Sequence, residues 1–249
     1  MLNKIREQEI LNILRVQGGF VTTKSLCEQL YASESSIRRD LKSLELKGLV
    51  RRAYGGAEPL ESNQNIVTFN HRTRQNESEK REIAKKAINL IHDGDLIFLD
   101  QSSTAFFLAA ELKKKNLTVI TNSISILTLL SDSNIHSISS GGYLSESNKM
   151  CLIGGDANET FKNSFANIAF FSARSISTDG IISDYDREEI IIRNTMLKNA
   201  KIKVFLCDSS KYDTIGKYKQ CELADIDYMI SDGDKSKRFS EISDKVVFL

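Results

Sequence analysis

The sequence is poor in several residue types, and each shortage excludes a class of protein. Its 249 residues include no tryptophan, one proline and three histidines. No apolar run approaches the ~20 residues that a helix needs to span a membrane. The first residues, Met1 to Arg6, also lack the apolar core of a signal peptide. We therefore expect a protein that resides in the cytoplasm and has no membrane partner.

Cysteine is also scarce, and its positions argue against a metal centre. The four cysteines form no C-x-x-C pair, and histidine is rare. Structural zinc sites need such closely spaced cysteine and histidine ligands. Thiols stay reduced in the cytosol. We therefore expect no metal site, no cofactor and four reduced thiols: Cys27, Cys151, Cys207 and Cys221.

The remaining composition is that of a soluble globular protein whose charge is unevenly distributed. Apolar residues make up 41% of the chain and charged residues 27%. Residues 1–57 hold ten basic and six acidic side chains, 10 − 6 = +4, whereas the remainder holds 24 and 27, which gives −3. A positive excess at one end fits phosphate neutralisation by that end alone.

The stretch from Ser33 to Ala57 carries the most informative pattern. Ser33 can accept a hydrogen bond from a free amide of a first helical turn. Apolar residues then recur at helical spacing, and Gly48 predicts the end of the helix. The apolar face consists of Ile37, Leu41 and Leu44. At about 100° per residue, the opposite face holds Ser35, Arg39, Lys42 and Ser43, with Arg38 on its flank.

The segments around this helix complete a winged helix-turn-helix order. A first helix is predicted over residues 3–17, and a second runs to Leu30 from a cap at Thr22 or Thr23. After the Ser33 helix, Leu49–Tyr54 is predicted to be extended, and Gly55-Gly56 forms a tight tip. Helix, helix, turn, recognition helix and wing is the order of a winged helix-turn-helix domain, here residues 1–57.

The chemistry of this module suits double-stranded DNA. A helix fits the major groove, where arginine can bond guanine O6 and N7 or clamp a phosphate. The alternative is a solvated helix with ordinary surface arginines, which a charge run alone would favour. The flanking helices and the wing favour the DNA interpretation. The candidate DNA-binding residues are Ser35, Ser36, Arg38, Arg39, Lys42, Arg51, Arg52, Gly55 and Gly56.

This stretch resembles the N-terminal signature of the DeoR-type bacterial transcription regulators. That signature has a serine, Ile-Arg-Arg-Asp-Leu, a Leu-x-x-x-Gly turn and an Arg-x-x-Gly-Gly-Ala wing. Here these are Ser33, Ile37–Leu41, Leu44 with Gly48, and Arg52 with Gly55–Ala57. Two positions depart from the family habit: Ser36 stands where threonine is usual, and Tyr54 stands where histidine is usual.

The rest of the chain predicts a second, α/β domain. Residues 58–77 hold the only proline and no periodicity, so we interpret them as a linker to a domain over residues 78–249. A helix from Ser78 to about His92 opens this domain. Apolar runs that alternate with helical stretches predict a largely parallel sheet. The predicted strands are Leu96–Leu99, Thr118–Thr121, Ile135–Ile138, Ile168–Phe171, Lys203–Cys207, Tyr228–Ile230 and Val246–Leu249.

Three predicted strands are followed by polar segments, and ligands bind beyond the carboxyl ends of strands in such sheets. Asp100–Thr104 leaves one strand and opens a helix, whose free amides suit a phosphate. Thr121–Ser123 repeats the pattern, and Asp208–Lys211 adds a lysine that could neutralise an anion. Ordinary helix caps and a solvated surface turn remain open alternatives.

The resemblance to the DeoR family extends over nearly the whole chain. Matching motifs follow in order at Lys80–Ala84, Asp100–Thr104, Thr121-Asn122, Gly141-Gly142, Gly154, Asp208–Lys211 and Asp225–Asp232. The family's second domain is similar to ribose-5-phosphate isomerase and senses a phosphorylated sugar or polyol.

This resemblance also implies a set of effector-binding residues. The expected phosphate side consists of Ser102, Ser103, Thr104 and Asn122. Residues expected to meet hydroxyls or the phosphate are Asp100, Asp208 and Lys211, with Lys80 assisting. The family often has glycine where Ser175 stands, so we expect Ser175 to reshape the pocket.

We therefore predict a transcriptional repressor of a sugar or polyol operon, which a phosphorylated sugar releases from its operator. Single modules of this kind bind DNA weakly, so a homo-oligomer is expected. The alternative is a sugar-phosphate isomerase or deaminase with an appended DNA-binding module. Asp179-Gly180-Ile181 resembles an isomerase loop but lacks its acidic pair, although Glu188 and Glu189 remain possible bases. An activator or a nonspecific architectural DNA protein is a third hypothesis.

Overall fold

The computed structural model describes residues 2–17, 20–46, 49–59, 69–233 and 238–249. By internal contacts the chain divides into two compact units, Met1–Ile66 and Val67–Leu249. The predicted helix ends at Gly18-Gly19 and Gly48 lie outside the described residues, as does the middle of the predicted linker. The domain boundaries drawn from the sequence stay a prediction.

The first unit has the element order of a winged helix-turn-helix domain. Its three antiparallel strands follow the order β1-β3-β2, and the wing is the β2–β3 hairpin. Thr22 caps the second helix, since its hydroxyl accepts from the amide of Ser25 at 3.1 Å. The elements are α1 (Leu2–Gln17), β1 (Val21–Thr22), α2 (Thr23–Leu30), α3 (Glu34–Leu46), β2 (Val50–Ala53) and β3 (Gly56–Pro59).

One apolar core holds these helices together. Ile37, Leu41 and Leu44 of α3 are at most 1% exposed, as their helical spacing predicts. They pack with residues of α1 and α2 that include Ile10 and Leu26. Because one side of α3 is anchored in this way, its other side must face outward.

The second unit is built on a seven-stranded parallel sheet. Its strand order is β15-β14-β12-β9-β4-β5-β6. These strands are β4 (Leu96–Leu99), β5 (Thr118–Thr121), β6 (His136–Ser139), β9 (Ala166–Phe171), β12 (Ala200–Leu206), β14 (Tyr228–Ile230) and β15 (Val247–Phe248). Each of the seven apolar runs predicted as strands overlaps one of them, so the prediction of a largely parallel sheet is confirmed.

Helices cover both faces of this sheet. Apolar residues of α5, α6 and α7 pack on one face and those of α8 and α9 on the other, which gives two hydrophobic clusters. Strands buried on both faces read as continuous apolar runs, and this is why they were visible in the sequence. The helices are α5 (Glu77–Ala87), α6 (Ser103–Glu111), α7 (Ile124–Leu130), α8 (Gly155–Lys162) and α9 (Arg187–Lys198).

Two small antiparallel sheets were not predicted from the sequence. One pairs two short strands, and the other has the order β10-β11-β13. The strands are β7 (Tyr143–Leu144), β8 (Leu152–Ile153), β10 (Ser175–Ile176), β11 (Ile181–Asp184) and β13 (Tyr218–Glu222). Strands of two to five residues give too little periodicity to distinguish them from loops.

Part of the segment predicted as a linker is structured instead. Phe69–Arg74 forms a short helix, α4, and α5 begins at Glu77 rather than at Ser78. The ring of Phe69 is buried and packs edge-on against Phe106 of α6, with centroids 5.5 Å apart. This apolar anchor makes residues 69–74 part of the second unit.

Candidate functional site

The exposed side of α3 carries the basic residues predicted to read DNA. The hydroxyl of Ser33 lies 3.4 Å from the amide nitrogen of Ser36 and 2.9 Å from its hydroxyl, at the start of the helix. Arg38, Arg39 and Lys42 are exposed, opposite the buried apolar residues. Ser35 is exposed as well, and Ser36 is half-buried. The helix therefore presents a largely polar, basic face, which the exposed Leu46 interrupts near its end.

The wing owes its shape to its two glycines. Gly55 has a φ of +81°, a left-handed conformation that favours glycine. A Cβ on Gly56 would lie 2.2 Å from the carbonyl oxygen of Val21, so β1 and β3 can approach only because no side chain intervenes. Tyr54, at the tip, is fully exposed. The structure thus gives Gly55 and Gly56 a role in shaping the wing, and their contact with DNA stays a prediction.

Three of the candidate arginines have acidic partners within the same unit. Arg38 bonds Glu34 one turn earlier in α3 at 2.5 Å, and Arg52 lies 3.5 Å from Glu45. Arg51 pairs across the wing with Glu58, its Nε 2.5 Å from Oε1. Arg39 and Lys42 make no ion pair within the described part of the chain. The sequence alone did not indicate these pairs.

A cavity of about 210 Å³ lies at the carboxyl ends of β4, β9 and β12, where ligands bind in such sheets. Five predicted effector-binding residues line it: Lys80, Ser102, Ser103, Asp208 and Lys211. Its lining includes five basic side chains and three carboxylates, 5 − 3 = +2. The five are Arg72, Lys80, Arg174, Arg193 and Lys211, and the three are Asp184, Glu189 and Asp208. Such a surplus suits an anionic ligand.

The other three predicted residues lie beneath the cavity wall and do not line it. Asp100 is fully buried and accepts from the backbone amides of Ser102 and Ser172, at 3.1 and 3.0 Å. The Asn122 amide donates to the carbonyl oxygen of Leu152 at 3.2 Å, and Thr104 is buried. Asp100 thus holds two residues of the lining, Ser102 and Ser172, in place. That any of the eight binds an effector stays a prediction.

Two lysines and a carboxylate form one part of the wall. Lys80 Nζ donates to the carbonyl oxygens of Arg72 and Gln75, at 2.5 and 2.6 Å. Lys211 Nζ donates to Ser172 Oγ at 2.7 Å and lies 3.4 Å from an Asp208 oxygen. Burial, aided by the nearby charge of Lys211, lowers the pKa of Lys80 to about 8.

The pKa of Asp208 responds to this cationic surrounding. Burial alone would raise the pKa, but Lys211, the Ser210 hydroxyl and Lys80 bring it down to about 2. Asp208 therefore remains a carboxylate at physiological pH. It can accept hydrogen bonds from ligand hydroxyls or from neighbouring side chains.

A buried arginine was missed by the sequence analysis. Arg193 is 1% exposed, and its Nη2 lies 2.7 Å from Asp184 and 4.0 Å from Glu189. Glu189 also accepts from the amides of Gln101 and Asn148, at 2.6 and 3.1 Å. Burial raises the pKa of Glu189, while Arg193 opposes that rise. Asp184 and Glu189 of this cluster therefore line the cavity together with the lysines and add carboxylate acceptors to it.

The corner between α4 and α5 supplies a further part of the wall. Asn76 has a φ of +51°, and its amide donates to Asp208 at 3.0 Å and to Ser210 at 2.8 Å. Among the residues that the structure describes, Nε and Nη2 of Arg72 are buried without a hydrogen-bond partner. Burial and the nearby Arg72 lower the pKa of Arg174. Guanidinium donors crowded in this way would gain from an acceptor in the cavity.

Of the remaining residues that the sequence singled out in this domain, only Glu189 lines the cavity. Ser175 is buried and bonds Ser183 across the β10–β11 pair, so it does not reshape the cavity as expected. Asp179 is exposed and Glu188 does not line the cavity, whereas Glu189 does. None of the described helices is long and apolar enough to cross a membrane. Within the same residues, no group of three potential metal ligands occurs.

Comparison with known proteins identifies both units. A model for the DeoR-like helix-turn-helix domain matches residues 6–63, and one for the DeoR C terminal sensor domain matches residues 75–233. The lactose phosphotransferase system repressor of Lactococcus lactis is 35% identical over 97% of this chain and 95% of its own length. The L-fucose operon activator of Escherichia coli is 31% identical over 91% of this chain and 94% of its own.

A solved structure resembles part of the chain more distantly. The match to ribose 5-phosphate isomerase A of Methanocaldococcus jannaschii covers 55% of this chain and 55% of the isomerase, at 22% identity and with a TM-score of 0.42. A likeness at this level carries no conclusion about activity.

Proposed function

The chain belongs to the DeoR family of transcription regulators, and from that premise we propose that it controls a sugar or polyol operon in response to a phosphorylated sugar. It is a DNA-binding regulator, and its relatives regulate sugar operons. In the proposal, α3 and the wing bind operator DNA in the cytoplasm. The cavity of the second unit binds the effector.

The excess charge of the cavity is the observation that carries the effector proposal. A lining charge of +2 matches a phosphate monoester, which holds about −1.5 to −2 at pH 7. We assign the phosphate to Lys80 and Lys211, which line the cavity together with Ser102 and Ser103. Asp184 and Glu189 offer acceptors for sugar hydroxyls on the same wall. The cavity volume of about 210 Å³ leaves room for a small polar metabolite.

Effector and operator would be coupled through linkage. An effector weakens operator binding only if it binds the DNA-incompetent arrangement more tightly. A coupling of about 1–3 kcal/mol would loosen the operator some 5- to 150-fold. We propose repression as the direction of control and a homo-oligomer as the binding species. One relative is named as a repressor and another as an activator. The operator-binding experiment must therefore also show whether the effector lowers or raises the affinity for DNA.

A thermal-shift screen tests the effector proposal. The purified protein is heated with a panel of sugar phosphates, each beside its unphosphorylated sugar. Binding to the native state raises the melting temperature by mass action. We expect a shift from one phosphorylated sugar and none from its unphosphorylated partner. A shift from the unphosphorylated sugar alone would contradict the role of the cationic cavity.

The variant Lys211→Ala separates effector binding from DNA binding. We expect it to bind operator normally and to lose release by the sugar phosphate, because it removes a cation from the cavity wall. Lys219→Ala is the matched control, since that lysine lies at the surface, paired with Glu222. A normal response in Lys211→Ala would remove Lys211 from the site.

The proposal also holds that the protein does not turn over its effector. Of the two glutamates hypothesised as bases, Glu189 lines the cavity and Glu188 does not. The support for a regulator without turnover comes instead from the relatives, which are named as a repressor and an activator. Incubation with each sugar phosphate that binds, followed by chromatography, should return it unchanged. An isomerised or deaminated product that disappears in Glu189→Gln would show an enzyme instead.

A further inference from the structure

Three arginines on the proposed DNA-binding face are held by glutamates of the same face. Arg38 and Glu34 lie one turn apart on α3, and Nη2 of Arg38 is 2.5 Å from Oε1 of Glu34. Arg51 and Glu58 are direct cross-strand partners in the wing. Arg52 and Glu45 join the wing to the last turn of α3, and Glu45 also accepts from the backbone amide of Arg52 at 3.3 Å.

These pairs differ from the structural ion pair of the same unit. Asp40 is buried and bonds Arg6 of α1 at 2.5 Å, which ties two helices together. The side chains of Glu34 and Glu45 are instead 61% and 42% exposed, and that of Glu58 is 29% exposed beside an arginine that is 69% exposed. Exposed ion pairs contribute little to folding because water and salt screen them. Their position on the face that meets DNA therefore has its main consequence in binding.

We propose that Glu34, Glu45 and Glu58 are intramolecular counterions that weaken nonspecific DNA binding and thereby increase discrimination in favour of the operator. Each carboxylate occupies an arginine that a phosphate would otherwise attract. Arg39 and Lys42 have no ion pair among the described residues, so they remain available for the first contact with any duplex. The inference rests on the proposed DNA-binding face.

The effect on random and operator DNA is expected to differ. Nonspecific binding comes almost entirely from the attraction between basic side chains and phosphates. A carboxylate that competes with phosphate for an arginine therefore lowers the affinity for random DNA directly. On the operator, an arginine that leaves its glutamate can gain a bidentate contact with guanine. This contact offsets the ion pair that is broken on binding. Removal of the carboxylates should therefore strengthen random DNA binding more than operator binding.

The test measures dissociation constants of the full-length protein for two duplexes over a range of NaCl concentrations. One duplex has random sequence, and the other is the tightest binder from in vitro selection with the purified protein. We expect each of Glu34→Gln, Glu45→Gln and Glu58→Gln to tighten random DNA binding about 1.5- to 5-fold, and the triple variant about 3- to 100-fold. The slope of log affinity against log NaCl concentration should steepen by up to about one for each ion pair removed.

Glu28→Gln is the matched control. Glu28 is an exposed residue of α2 that makes no ion pair within the described part of the chain, and its substitution removes the same charge from the same unit. An equal gain in Glu28→Gln would overturn the proposal in favour of a simple net-charge effect. Unchanged binding in the triple variant, or an equal gain on both duplexes, would also overturn it.

Arginine variants show which assumption has failed. If Arg38→Ala and Arg52→Ala leave DNA binding unchanged, the proposed DNA-binding face is wrong. If those variants weaken binding while the glutamate variants have no effect, only the counterion proposal is wrong. Melting temperatures close to that of the wild type establish that each variant is folded.

Discussion

Effector binding should weaken as the pH rises through 8, because Lys80 loses its proton there. Burial and Lys211 hold the pKa of Lys80 at about 8 in the free protein, below its ordinary value of 10.5. A bound phosphate favours the charged lysine and raises this pKa, so binding takes up a proton at alkaline pH. If the bound pKa lies well above 9, affinity should fall about tenfold between pH 7 and pH 9.

Other groups at the wall should contribute little in this range. The pKa of Asp208 is about 2, so it stays charged throughout. A phosphate monoester has its second pKa near 6 and is already a dianion above pH 7. Alkaline weakening therefore reports mainly on Lys80 among these groups.

Calorimetric titration with the sugar phosphate found by thermal shift measures both affinity and proton uptake. Buffers with different ionisation enthalpies should show an uptake of about half a proton at pH 8. Lys80→Met should bind weakly at every pH and show no alkaline decline, whereas the control Lys219→Ala should retain it. A wild-type affinity that is constant from pH 7 to pH 9 would refute the assignment of Lys80 to the phosphate.

Two further predictions concern the first unit. Arg39→Ala should weaken operator binding by about 1–3 kcal/mol if Arg39 contacts a base. If Arg39 contacts a phosphate instead, the slope of log affinity against log salt concentration should fall by about one. Fluorescence anisotropy with a labelled duplex distinguishes the two results, and unchanged binding would argue against α3 as the recognition helix. Gly56→Ala should destabilise the unit by about 1–3 kcal/mol, because a Cβ would lie 2.2 Å from the Val21 carbonyl oxygen. Urea unfolding followed by circular dichroism measures the loss, and an unchanged midpoint would show that the strands can separate at no cost.

Features with a strong local or periodic signal were predictable from the sequence. The α3 helix followed from three apolar residues at helical spacing, which are buried as expected. The seven parallel strands followed from apolar runs that are buried on both faces. Four of the cavity residues, Ser102, Ser103, Asp208 and Lys211, followed from the convergence of strand ends at one edge of a sheet, whereas Lys80 followed only from the family resemblance.

Features that depend on tertiary packing were not predictable in this way. Arg193 lies on a helix whose pattern is that of any amphipathic surface helix, and only the fold places it among three carboxylates. Arg72 lies in a segment without periodicity, so it was assigned to a linker. The partnership of Arg51 with Glu58 required the register of the wing hairpin, which a single sequence does not specify.

The most direct test of the central claim is the affinity for operator DNA with and without the sugar phosphate identified by thermal shift. The duplex selected in vitro is titrated with protein at fixed salt, first alone and then with saturating effector. For the proposed repressor, the effector should raise the dissociation constant some 5- to 150-fold, and saturating operator should weaken effector binding by the same factor. An operator affinity that the bound effector leaves unchanged would contradict the account.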